Sequence, residues 1–235
     1  MYDLEKNLIK WLPDFRKHVQ TFDDSQKDDE ITAFKIIFEA AIEIYLSAIQ
    51  PNTTKTTRAI LTRSLIECYA DAYSIFRRGV VSKKAKKYVK YAHKLHKVFR
   101  DQSTEYARMR DSGVDGEVRP FQLLKQSESC WDGKSITDRI EATGHGKHVI
   151  AYYEFFSLFT HMSPIRQVYL QYIENDPALY NYHSYIMLLI LQILVSQPAV
   201  KEEYLESFNV IAGEYAEDYR KHYHSPPILK DNKKR

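Results

Sequence analysis

Apolar residues recur along this chain with a period near 3.6 in almost every segment and with a period of 2 in almost none, which predicts an all-α fold. On that pattern helices are expected over 3–19, 29–49, 55–78, 83–111, 119–128, 135–142, 148–161, 164–175, 178–196 and 199–222. The punctuation agrees. Pro164 follows Ser163, Pro177 follows Asp176 and Pro198 follows Ser196-Gln197, so each proline stands at or near a first helical turn behind a side chain able to cap it. Ser135-Ile136-Thr137-Asp138 has the spacing of a capping box with Asp in place of Glu, and Ser82 precedes a basic helical run. Six of the seven glycines fall in the breaks, and only Gly213 interrupts a helix. No internal repeat and no interdomain linker is visible. The expected architecture is therefore one compact bundle of about eight to ten helices over residues 1–224, with a disordered basic tail at 225–235.

Composition narrows the class. At 44% hydrophobic and 13% aromatic the chain can bury a real core, and seven glycines in 235 residues are too few for the phosphate-cradling loops of a doubly wound nucleotide-binding fold. Cys68 and Cys130 stand far apart with no CxxC spacing, which reads as a reducing, cytoplasmic setting. The N-terminus lacks the layout of a signal peptide. The longest apolar run, Ile186 to Val195, is broken by Gln192 and falls short of the ~20 residues a bilayer span needs, so no membrane partner is expected.

A net charge of +3 hides a segregation: residues 81–100 hold eight Lys/Arg and no Asp/Glu, which leaves the rest of the chain net acidic. Lys83, Lys87, Lys90, Lys94 and Lys97 follow a 4-3-4-3 spacing on one face, while Tyr88, Tyr91, Leu95, Val98, Phe99 and Tyr106 take the other. Such a face over 83–100 can track the phosphates of a nucleic acid; the plainer reading is a solvated surface.

Segment 148–161 carries a single acid among apolar and aromatic residues and is expected to be a central, buried helix. Along it Tyr153, Ser157 and His161 recur every four residues, as Arg63, Glu67 and Asp71 do among Ile60, Leu65, Ile66, Cys68, Tyr69 and Tyr73. Buried polar groups need partners, so the two stripes are expected to face each other. Two readings stay open. In one, Arg63 pairs with Glu67 while Ser157 and His161 complete a network that fixes how the helices meet. In the other, His161 is an acid/base or ligand contact, Glu67 orients it, Arg63 binds an anion, and Tyr153 and Asp71 line the pocket. A Ser157/His161 nucleophile pair has the spacing but not the exposed, strained turn that a hydrolase uses. His93/His96, His145/His148 and His222/His224 lack a cysteine or carboxylate at ligand spacing, so neither metal nor cofactor is expected. Trp11 and Trp131 are expected core anchors, and the 18 tyrosines permit a homo-oligomer without locating its interface.

Arg63-Ser-Leu-Ile-Glu67-Cys-Tyr-Ala-Asp71, then Trp131 with the Ser135-Ile136 helix start, then Tyr153-x3-Ser157-x3-His161-Met162-Ser163 resembles, over roughly residues 55–175, a family of all-helical, mainly bacterial proteins of unassigned function. The resemblance implies a helical fold with the Arg/Glu and Ser/His helices in one site. It supplies no activity. Arg139-Ile-Glu-Ala-Thr-Gly-His145 also resembles the signature of the HEPN ribonucleases, an Arg followed four to six residues later by His, although Gly144 sets this His in a loop where that family uses a helix. That resemblance implies a nucleic-acid-directed enzyme of a bacterial defence or toxin system, with His145 or His161 essential. The competing expectation is a binding or interaction module.

Overall fold

In the computed structural model, residues 3–22, 28–77, 79–112, 131–160 and 181–222 are described. They form eight helices and no strand: α1 (Asp3–Gln20), α2 (Asp29–Ala48), α3 (Lys55–Phe76), α4 (Val81–Ser112), α5 (Ile136–Glu141), α6 (Gly146–Ser157), α7 (Tyr182–Leu194) and α8 (Glu202–His222). The fold is all-α. The helices expected at 119–128 and 164–175, the prolines Pro164 and Pro177, and the basic tail all lie outside the described residues.

Local chemistry sets the helix starts. Asp28 caps α2 by accepting from Glu30 N at 2.8 Å, and Thr54 caps α3 by accepting from Thr57 N at 3.1 Å. The Ser135/Asp138 capping box forms in full, each side chain accepting the other's backbone N–H at 3.1 Å. Gly79, at φ 69°, turns the chain from α3 into α4 through the left-handed region that favours glycine. Pro198 is not in a first helical turn, because α8 begins only at Glu202. The backbone N–H of Lys201, just before it, donates to His18 Nε2 on α1 at 3.3 Å.

One expectation about burial changes. Helix α6 is one-sided: Val149, Tyr153 and Phe156 are buried, whereas Lys147, Ala151 and Glu154 are exposed. The helix enclosed all round is α7, where every residue except Gln192 is buried. Each fully buried Leu, Ile or Met there is worth about 1.5–3 kcal/mol against exposure, which makes α7 the axis of the core. Helix α3 is the hub, packing on α2, α4, α5, α6 and α7, while α1 packs on α8 through Trp11 and Phe208. Trp11 Nε1 also donates to Ser207 Oγ at 2.9 Å across that seam. No helix among the described residues is long and apolar enough to cross a membrane.

Candidate functional site

Helices α3 and α6 meet along the two polar stripes that the sequence singles out. Arg63 Nε donates to Ser157 Oγ at 3.1 Å, and its Nη2 donates to the Tyr153 hydroxyl at 2.9 Å. The same Nη2 lies 3.0 Å from Glu67 Oε1, one turn along α3, and Tyr153 completes the ring by donating to that oxygen at 3.2 Å. The Arg63 guanidinium sits 5.1 Å from the centroid of the Tyr153 ring, within reach of a cation–π contact. Tyr153 is buried, whereas the Arg63 and Glu67 side chains keep 29% and 37% of their surface, so the ring of contacts opens to solvent at one edge.

This arrangement holds helices together better than it moves protons. Ser157 donates its hydroxyl proton to the Tyr153 carbonyl at 2.6 Å and offers Arg63 only a lone pair, so among the described residues no base accepts its proton. Burial pushes the Tyr153 phenol above its ordinary range, and the Glu67 charge adds to that, so the hydroxyl stays a hydrogen-bond donor at neutral pH. Two recesses, of about 420 and 150 Å3, open elsewhere, the first between α1 and α8 beside Trp11 and Tyr204, the second beside Phe22, Phe34 and Phe76. Neither touches the Arg63 cluster. His161 lies outside the described residues.

Asp71 belongs to a different group. Each i+4 step on a helix drifts by about 40°, so two steps carry Asp71 about 80° around α3 from Arg63. It accepts from Trp131 Nε1 at 3.0 Å and pairs with Arg139 Nη1 at 3.4 Å; Arg139 also reaches Asp132 at 3.5 Å. Burial pushes the Asp71 carboxyl up to about 6, against the pull of Arg139 and Trp131. Burial likewise pushes the neighbouring Cys68 thiol up to about 12, which makes it a poor nucleophile. Arg139, 8% exposed, is committed to Asp71 on α3 and to Asp132 just ahead of α5, while His145 stands at the start of α6 with burial holding it below its usual range. The Arg/His spacing that resembles the ribonuclease signature thus straddles a break between two helices.

On α4, Lys83, Lys86, Lys87, Lys90, Lys94 and Lys97 are all exposed, and His93 and His96 join them. The opposite side packs inward: Ala85 and Val89 are buried, and Tyr88 meets Trp131 edge to face at 5.6 Å. Lys84, off the stripe, anchors the helix by donating to the Ser74 carbonyl at 2.6 Å. The lysine face predicted from spacing is therefore a surface. Lys83, Lys86, Lys87, Lys90 and Lys97 meet no acidic side chain among the described residues.

Sequence reasoning missed a second buried polar group. His183 Nε2 lies 3.2 Å from Glu5 Oε1, the Ser184 hydroxyl donates to the same oxygen at 3.2 Å, and Tyr45 approaches Ser184 at 3.5 Å. Burial alone would raise the Glu5 carboxyl, but the contacts from His183 and Ser184 hold it below its ordinary range. The signal was present, since His183 and Ser184 are a polar pair heading the most apolar stretch of the chain. The partner on α1 was not, because nothing local marks Glu5.

No group of three or more His, Cys, Asp or Glu among the described residues could hold a metal ion. No curated protein and no solved structure matches the chain. Residues 31–178, which run from α2 past α6 and include both the Arg63 cluster and the lysine face, match a family model described as a family of unknown function, and the chain belongs to that family, DUF5677.

Proposed function

We propose that this protein is a binding module that holds the phosphate backbone of a nucleic acid on the lysine face of α4, with the Arg63/Glu67/Tyr153/Ser157 cluster serving as the seam that fixes α6 on the α3 hub. The observation that carries the reading is the exposure of six lysines along one helix that bears no acid between Val81 and Arg100. Lysine heads on that face contact phosphates as point charges and release counterions, so they give affinity without reading sequence. A homo-oligomer is compatible with this role.

Fluorescence anisotropy with labelled single-stranded and duplex oligonucleotides, titrated against salt, tests it. Five neutralised phosphates correspond to a slope of log K against log salt of about −4 to −5 on duplex. Lys87→Glu with Lys94→Glu is expected to weaken binding and flatten that slope. Binding unchanged by the double substitution removes nucleic acid from the account, whereas cleavage of the labelled strand by the wild type replaces the binding module with an enzyme.

A further inference from the structure

We propose that the lysine face of α4 also docks the acidic face of α8 on a second copy of this chain. The two surfaces are complementary in sign, length and pitch. On α8, Glu203, Glu206, Val210, Glu214 and Glu217 fall within about 80° of one another around the helix, and all five are exposed. No Lys or Arg occurs on α8 from Glu202 through Glu217, and no Asp or Glu occurs on α4 from Val81 through Arg100. Glu203 to Glu217 and Lys83 to Lys97 are each fourteen residue steps, about 21 Å of helix. The acidic face steps 3-4-4-3, with Val210 at its centre, and the basic one 4-3-4-3, so four acids and one valine lie at the same mean spacing as five lysines.

Among the described residues Lys83, Lys87, Lys90 and Lys97 meet no acidic side chain, and the acidic face has little positive charge of its own copy against it. Glu206 and Glu217 meet no cation among the described residues, Glu203 has only Lys201 at 3.8 Å, and Glu214 accepts a hydrogen bond from the neutral Asn7 at 2.8 Å. Among the described residues the two large hydrophobic side chains left most open to solvent are Val80, at the head of α4, and Val210, in the middle of the acidic stripe. Val210 thus gives the acidic face an apolar contact that a monomer leaves in water, while Val80 lies just ahead of α4. Surface ion pairs are individually weak and screened by salt, so the assembly is expected to be concentration dependent and to dissolve at high ionic strength. An acidic helix on these lysines occupies the positions a nucleic-acid backbone would take, so oligonucleotide and second copy compete. The docking itself does not depend on nucleic acid being a ligand.

The full chain is measured by light scattering after size exclusion and by sedimentation equilibrium, over a range of concentrations at low and high salt. The wild type is expected to rise in mean mass with concentration at low ionic strength and to fall back at roughly 0.5 M salt. Lys83→Glu/Lys87→Glu/Lys90→Glu and Glu203→Lys/Glu206→Lys/Glu217→Lys are each expected to weaken self-association by tenfold or more, and an equimolar mixture of the two to regain it, because each supplies the sign the other lost. Circular dichroism checks that both are folded. If either is not, the milder Lys87→Ala and Glu206→Ala variants carry the comparison, each expected to weaken association by a few-fold. A wild type that stays monomeric throughout, or a mixture of folded variants that does not re-associate, overturns the proposal. Oligonucleotide anisotropy is read separately on the α8 variant, whose α4 is untouched, so loss of nucleic-acid binding there bears on the proposed function and not on the docking.

Discussion

Replacing Arg63 by alanine is the sharpest test of whether the α3–α6 cluster is a seam. The change removes the donors to Ser157 and Tyr153 and the pairing with Glu67, but it leaves Tyr153 donating to Glu67 and Ser157 donating to its own helix. Hydrogen bonds to charged groups are worth about 1.5–3 kcal/mol, at the lower end where solvent reaches the guanidinium. The Glu67 pair, about a third exposed, adds only ~0.5 kcal/mol after screening. The expected loss is about 2–3 kcal/mol, or about 5–10 °C in Tm for a chain of this length. Urea unfolding followed by tryptophan emission gives the free energy, and scanning calorimetry the midpoint. A double-mutant cycle with Tyr153→Phe should return a coupling of about 1 kcal/mol. A folded Arg63→Ala protein that loses less than about 0.5 kcal/mol refutes the seam, since the contacts would then contribute no more than an ordinary surface pair.

Further outcomes follow from single groups. A Cβ on Gly146 would run into the Glu141 carbonyl group, which as backbone cannot swing away, so Gly146→Ala should cost about 1–3 kcal/mol in chemical denaturation. Gly213 meets nothing within 4 Å at the same test, and Gly213→Ala in mid-helix should gain up to about 1 kcal/mol by the same assay; a loss there would mean that the face is already occupied. The Asp71 carboxyl, held near 6 in the folded chain against an ordinary 3.8, binds its proton more tightly when folded, so its contribution is complete at acid pH and is lost as pH rises through 6. The lost amount is about 3 kcal/mol between pH 4 and 7, and Asp71→Asn should abolish that part of the pH dependence. Equal slopes in wild type and variant would show that Arg139 already compensates the Asp71 charge.

Spacing alone was enough to pair Arg63 with Glu67 on α3 and Tyr153 with Ser157 on α6, because each pair is one helical turn apart and that relation survives any packing. The lysine face of α4 was legible for the same reason, and so was the Ser135/Asp138 cap, whose partners are three residues apart. Asp71 was assigned to the wrong neighbours because two turns of drift rotate it toward α5, and only the position of Trp131 and Arg139 decides what it meets. Composition also misjudged burial. The aromatic residues of α6 look like a helix wrapped on every side, yet Tyr152 and Phe155 are only half-buried, and it is α7 that the other helices enclose. Glu5 and His183 are 178 residues apart and meet only when α1 closes on α7. Among the described residues, sequence by itself determined the helical class, the Ser135/Asp138 cap and the side chains that share a face, since those depend on contacts within a few residues. Tertiary structure decided which faces meet, which carboxylates are desolvated and which lysines are left in water, since those depend on how much apolar surface distant helices can bury against one another.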